Sequence, residues 1–202
     1  NLMASFAKNN LKAKKVALIH DKQDYGKGQM ELAKIYFEKL GGVEVVLFEG
    51  VTTGAVDFSA IVQKIKRSKA DVTLWGGYRS DASKIVSLLK RKRVETTFFG
   101  GEGIYDLEYI TLAGKYAEGV YATGPMDVSS NPMAKAANKA HQKAYGADPG
   151  AFYLNAYAAA LALLNAVEQA GSTAYDAVTK ALRTNLVATP LGKVQFDDRG
   201  DA

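Results

Sequence analysis

The first two thirds of this 202-residue chain repeat one pattern: a short β-branched run, a loop rich in Gly, Asp or Thr, then an amphipathic helix. Strands are predicted over 16–20, 43–48, 72–75, 97–99 and 119–123. The first helix is expected over about 26–40, stopping at Gly41 and Gly42. A second begins at Asp57 as N-cap and carries Phe58, Ile61, Val62 and Ile65 at helical spacing. The third, capped by Ser80 or Asp81, carries Ile85, Val86, Leu88 and Leu89. Alternation at this length builds an α/β fold, a parallel sheet flanked by helices, because parallel neighbours need a crossover that covers a sheet face. Right-handed crossovers place the strand-exit loops, 21–28, 49–54, 76–80 and 100–105, on the carboxyl edge, where open α/β sheets bind ligands.

The pattern changes after Pro125. Residues 132–145, 151–170 and 174–183 read as consecutive helices, and 192–196 as a short terminal strand. The middle helix, AFYLNAYAAALALLNAVEQA, is apolar almost all round, the mark of a helix buried against a sheet or other helices. No strands remain after it to supply that sheet. The expectation is that a second copy covers its apolar face, as a homodimer or swapped dimer through the 151–170 helix.

Composition narrows the function classes. The chain has no Cys, so there is no disulfide framework, thiolate metal site or cysteine nucleophile. Lys and Arg total 26 against 21 Asp and Glu, a net charge of +5. Much of the excess lies in two clusters, Lys64, Lys66, Arg67 and Lys69, then Lys90, Arg91, Lys92 and Arg93, at the ends of consecutive helices, where cations complement the helix dipole. No aromatic residue interleaves within either cluster, so no nucleic-acid partner is expected. The longest apolar stretch, 156–167, is interrupted by Asn165 and falls short of the roughly 20 residues a membrane span needs. The chain opens at Asn1 without an initiator Met or a basic-then-apolar leader, which reads as a processed or cut piece of something longer.

Tyr25, Tyr78 and Glu102 fall in three different strand-exit loops, each beside glycines that let backbone approach a ligand. A carboxylate among Gly100, Gly101 and Gly103 suits an ammonium, and two tyrosines suit aromatic walls with hydroxyls. The alternative is a solvated Glu102 and tyrosines that merely pack. His20 ends the first strand as a packing residue, and His141 is expected on an exposed helix face. Neither has the company of a nucleophilic site, so no catalytic residue and no enzyme are expected. Gly26-Lys27-Gly28 lacks the rest of a phosphate-loop motif. Asp197, Asp198 and Asp201 lack calcium-loop order and read as a β-turn, so no metal and no cofactor are expected.

The strings VALIHDKQDYGKG, FEGVTTGAVDFSAIVQKIK, WGGYRSDA, FFGGEGI and ATPLGKVQFDDRGD occur in one order over nearly the whole chain. Together they resemble the periplasmic leucine/isoleucine/valine-binding proteins of ABC transporters. The resemblance implies a bilobed type I solute-binding fold that closes on its ligand by a hinge. Residues 1–124 would be the complete α/β ligand-binding lobe, the family's second, and 125–202 helices and a terminal strand belonging to an incomplete first lobe. It also implies ligand roles for the tyrosine of D-K-Q-x-Y-G, the tyrosine of G-G-Y and the glutamate of G-x-E-G, here Tyr25, Tyr78 and Glu102, with the glutamate on the α-ammonium. The α-carboxylate would be held by first-lobe groups. Two departures bear on side-chain specificity: Gly101 stands where many relatives have proline, and Arg79 with Ser80 follows Tyr78 where others carry Tyr/His-Pro. The implied function is an extracytoplasmic solute-binding component that takes a branched-chain or related amino acid and serves a membrane permease. Such a protein is periplasmic, or extracellular and membrane-tethered. The alternatives are a ligand-sensing domain of a regulator or receptor with this fold, and a flavodoxin-like or Rossmann-type enzyme.

Overall fold

Burial on both faces turns the apolar runs of the amino-terminal part into a parallel sheet. A computed structural model describes residues 1–202, which divide into two compact units, Asn1–Gly124 and Pro125–Ala202. In the first unit the strands are β1 (Lys15–His20), β2 (Glu44–Gly50), β3 (Val72–Gly76), β4 (Thr97–Gly100) and β5 (Tyr121–Ala122), in the spatial order β2-β1-β3-β4-β5 with every pairing parallel. Central β3 is buried along its whole length, whereas edge strand β5 is exposed and only two residues long, shorter than the 119–123 run predicted. Only Phe99 and Gly100 pair with it, which limits the ladder at that edge.

The helices are α1 (Leu2–Asn9), α2 (Asp24–Leu40), α3 (Ser59–Ser68), α4 (Arg79–Arg91) and α5 (Leu107–Ala113). On one sheet face Ile61, Val62 and Ile65 of α3 join Ile85, Val86 and Leu89 of α4 around Trp75. On the other, Met30, Ala33 and Phe37 of α2 pack with Met3, Ala4 and Ala7 of α1. The periodicity did not predict α1, because eight residues are too few to show a helical period. Tertiary packing supplies what the pattern lacks: the Phe6 ring lies 5.5 Å from Phe99 and 5.4 Å from Tyr121.

Two helix caps differ from expectation. Phe58 occupies the N-cap position of α3, yet Asp57 Oδ1 still accepts the Ser59 N–H at 2.9 Å. Tyr78, in extended conformation, is the N-cap of α4, and neither Ser80 nor Asp81 caps it. Asp81 turns inward instead and is 4% exposed; both its oxygens accept the Gly54 N–H, at 3.0 and 3.2 Å. The basic clusters fall at the carboxyl ends of α3 and α4, as the dipole reading requires.

The second unit holds α6 (Pro132–Tyr145), α7 (Tyr153–Ala170), α8 (Tyr175–Thr184), and an antiparallel hairpin of β6 (Val187–Thr189) and β7 (Gly192–Val194). Asn131 caps α6 by accepting the Met133 N–H at 2.9 Å, with Pro132 pre-set in the first turn. Its amide reaches back to the Thr189 and Pro190 carbonyls, at 3.0 and 2.9 Å, tying the hairpin to the helix. The strand β6 was not expected; three residues leave too short an alternation to read. His141, expected on an exposed face, is half-buried: its ring lies 4.7 Å from those of Tyr145 and Tyr153. Helix α7 is not buried all round. Only Ala158, Ala162 and Ala166 are enclosed, while Leu163 and Leu164 are 51% and 66% exposed. No helix is long and apolar enough to cross a membrane.

Candidate ligand-binding site

The carboxyl ends of β1, β3 and β4 are drawn together by glycines. Gly26 and Gly76 approach so closely that a Cβ on either would overlap the carbonyl of the other, and a Cβ on Gly103 would overlap the Gly77 carbonyl. The Asp21 N–H donates to the Gly76 carbonyl at 3.0 Å, continuing the β1–β3 ladder into the loop. These contacts bring the start of α2, the start of α4 and the turn after β4 to one place.

Tyr25 lies in the first turn of α2, not in the preceding loop, because the helix begins at Asp24. Tyr78 is the extended N-cap of α4, and Glu102 opens a 3-10 turn over Glu102–Ile104. The structure brings all three together. The rings of Tyr25 and Tyr78 are 5.4 Å apart and tilted by 31°, and both remain partly open, 37% and 52% exposed. Tyr25 donates its hydroxyl to Glu102 Oε2 at 3.1 Å and accepts the Gly103 N–H at 3.3 Å.

Two further side chains complete the carboxylate's surroundings. Gln29 Nε2 donates to Glu102 Oε2 at 3.2 Å, and the Thr123 hydroxyl donates to Oε1 at 3.0 Å. Neither was identified from the sequence. A signal existed for each: Gln29 stands four residues after Tyr25, on the same helix face, and Thr123 lies at the exit of the fifth strand.

All three donors to Glu102 are neutral, and none of the ion pairs in the structure includes it. The carboxylate is oriented without losing its charge to a protein cation. Burial, reinforced by the Glu102 carboxylate, pushes the Tyr25 phenol up to about 12, so Tyr25 is a hydrogen-bond donor at neutral pH and not a base. Arg79, the residue after Tyr78, is engaged elsewhere, with its Nε 2.8 Å from Glu108 Oε2.

No nucleophile and base come together at this edge. His20, 6% exposed, accepts the Lys22 N–H on Nδ1 at 3.1 Å, and His141 Nδ1 lies 3.1 Å from the Ala147 carbonyl. Asp197 Oδ1 accepts the Arg199 and Asp201 N–H groups at 2.8 and 2.9 Å, the β-turn read from the sequence. A surface hollow of about 540 Å³ among Lys84, Arg91, Lys115 and Tyr116 contains none of the three candidate residues. The arrangement at the sheet edge is suited to holding a cation beside aromatic surface, by charge-assisted hydrogen bonding and ring contact.

Known proteins share this architecture. The chain is 38% identical over 202 residues to Leu/Ile/Val-binding protein homolog 3 of Brucella melitensis, covering 99% of this chain and 54% of that one. It is 35% identical to a leucine-, isoleucine-, valine-, threonine- and alanine-binding protein of Pseudomonas aeruginosa, covering 97% of this chain and 52% of the relative. A solved leucine-binding protein from Thermotoga maritima superposes with a TM-score of 0.88 at 28% identity, over 99% of this chain and 58% of that one. The chain thus spans about half the length of the curated relatives it matches. The family described as periplasmic binding protein matches residues 1–202, and the chain belongs to that family.

Proposed function

We propose that this chain carries the ammonium-recognising part of an amino-acid site in an extracytoplasmic solute-binding component of an ABC importer. The observation that carries this reading is a Glu102 carboxylate held by three neutral donors beside the Tyr25–Tyr78 pair. Glu102 takes the ligand's α-ammonium, while Tyr25 and Tyr78 form the wall. The ligand is a branched-chain or related amino acid, bound without chemical turnover. Support comes from the names of relatives that bind leucine, isoleucine and valine, and from a Streptococcus pneumoniae branched-chain amino acid transporter substrate-binding protein solved with isoleucine, at 25% identity and a TM-score of 0.76. The protein's partner is a membrane permease, its place the periplasm or the outer face of a membrane. Residues 1–124 act as the ligand-binding lobe, and 125–202 belong to its companion lobe.

Affinity separates the chain from the whole protein. A micromolar dissociation constant needs about 8 kcal/mol, whereas one hydrogen bond to a charged group contributes about 1.5–3 kcal/mol. The 202-residue chain by itself is therefore expected to bind leucine in the millimolar range or not at all. Titration calorimetry and ligand-observed NMR test this, with Glu102→Ala removing the leucine response. A response to leucine that survives Glu102→Ala overturns the assignment, and micromolar binding by the chain alone overturns the division of the site.

A further inference from the structure

We propose that Gln29 is the positioning residue for Glu102, and that position 101 is a glycine because the Gln29 amide occupies the space a side chain there would take. This deepens the ammonium reading of Glu102 and rests on it for its consequence in binding.

The backbone of Gly101 does not itself require glycine. Its φ of −76° and ψ of −170° are ordinary extended values that any residue adopts. The space favours it as long as Gln29 stays in place: a Cβ at 101 would overlap both polar atoms of the Gln29 amide, the end of a flexible side chain that would have to move. Any side chain at 101 displaces Gln29 from the carboxylate of the very next residue. Gln29 also keeps its Oε1 buried without a hydrogen-bond partner, a cost that an apolar residue of similar size would avoid. An amide retained at that cost, one turn beyond Tyr25 and in contact with Glu102, is explained by what its Nε2 does.

What it does is fill one oxygen. A carboxylate oxygen offers about two lone-pair sites. On Glu102, Oε2 receives Tyr25 Oη and Gln29 Nε2 and is saturated, whereas Oε1 receives only Thr123 Oγ1. One site on Oε1 stays open, so an ammonium meets the carboxylate from a single direction. Without Gln29 a second site opens on Oε2, and only Tyr25 and Thr123 remain to orient the carboxylate. Because the donor is an amide and not a lysine or arginine, the carboxylate is steered without being neutralised.

Three measurements on the chain test this. In ¹⁵N-edited NMR the Gln29 side-chain amide protons exchange slowly with water, and Glu102→Ala releases them. Gly101→Ala lowers the thermal midpoint in the parent chain but has little effect in a Gln29→Ala background, which has removed the group it strikes. In an NMR titration Gln29→Leu weakens leucine by roughly tenfold, as expected for a misdirected charged hydrogen bond, and leaves 4-methylpentanoate, which lacks the amino group, unchanged. Free exchange of the Gln29 amide in the parent, an equal cost of Gly101→Ala in both backgrounds, or equal weakening of both ligands overturns the assignment. A parent chain that binds neither ligand, as half of a divided site can, leaves Gln29 to be decided by the two ligand-free measurements by themselves.

Discussion

Tyr25 donates its hydroxyl to Glu102 Oε2 at 3.1 Å across 77 positions of sequence, and the Tyr25 hydroxyl oxygen accepts the Gly103 N–H at 3.3 Å. The start of α2 is thereby fastened to the turn after β4. Tyr25→Phe keeps the ring against Tyr78 and removes both hydrogen bonds. A loss of about 1 kcal/mol is expected in urea unfolding. An unchanged midpoint would mean that water replaces the hydroxyl without cost.

The raised phenol of Tyr25 has a consequence at alkaline pH. Its folded-state value of about 12 lies above the ordinary 10.0, so between those values the folded chain holds a proton that the unfolded chain has lost. The corresponding stability is fully present below pH 10 and disappears as pH rises toward 12. Burial raises the phenol of Tyr109 as well, so the test is a difference between two proteins. The stability of the parent is expected to fall more steeply than that of Tyr25→Phe between pH 10 and 12, followed by urea unfolding. Parallel curves would show that Tyr25 ionises as freely when folded.

Asp81 joins α4 to the loop that follows β2. Both its oxygens accept the Gly54 N–H, and Lys84 Nζ is 3.9 Å away. Asp81→Ala leaves that N–H without its partner and is expected to cost about 1–3 kcal/mol. Asp81→Asn, which keeps one acceptor oxygen, is expected to cost less. Chemical unfolding of the two variants ranks them, and an Asn variant as unstable as the Ala variant would point to charge in place of hydrogen bonding.

Residues differ in how far their surroundings are written next to them. The runs around Leu18, Leu74 and Phe99 are legible as strands because burial on both faces demands continuous apolar sequence, and β1 and β3 are enclosed almost throughout. Parallel connections then fix the edge at which Tyr25, Tyr78 and Glu102 meet, so these residues could be grouped before any distance was known. Gln29 could not, because a polar residue on a helix looks the same whether it faces water or a carboxylate 73 positions away. Asp81 occupies a position that reads as a cap, and only the approach of Gly54 shows why it points inward. Helix α7 has the opposite difficulty: its apolar residues announce burial, yet only its alanine stripe is fully buried, with Val167 and Ala170 partly covered.

That uncovered face carries the last prediction. Leu163 and Leu164 are 51% and 66% exposed, outside the buried stripe of Ala158, Ala162 and Ala166. Contiguous apolar surface of this kind is removed from water by association, at about 25 cal/mol per Å² of area covered. A second copy of the chain meeting the 151–170 helix by two-fold packing or a swap is the expected form. Light scattering should then show a mass rising from 21.7 kDa toward twice that value as concentration increases through the micromolar range. An anilinonaphthalene dye should brighten on the dilute chain and lose that signal as the mass rises. Replacing both leucines by glutamine (L163Q with L164Q) should hold the chain monomeric and dark to the dye while leaving its helical circular dichroism intact, because both residues are more exposed than covered. A parent chain that stays monomeric at high micromolar concentration and binds no dye would refute the association.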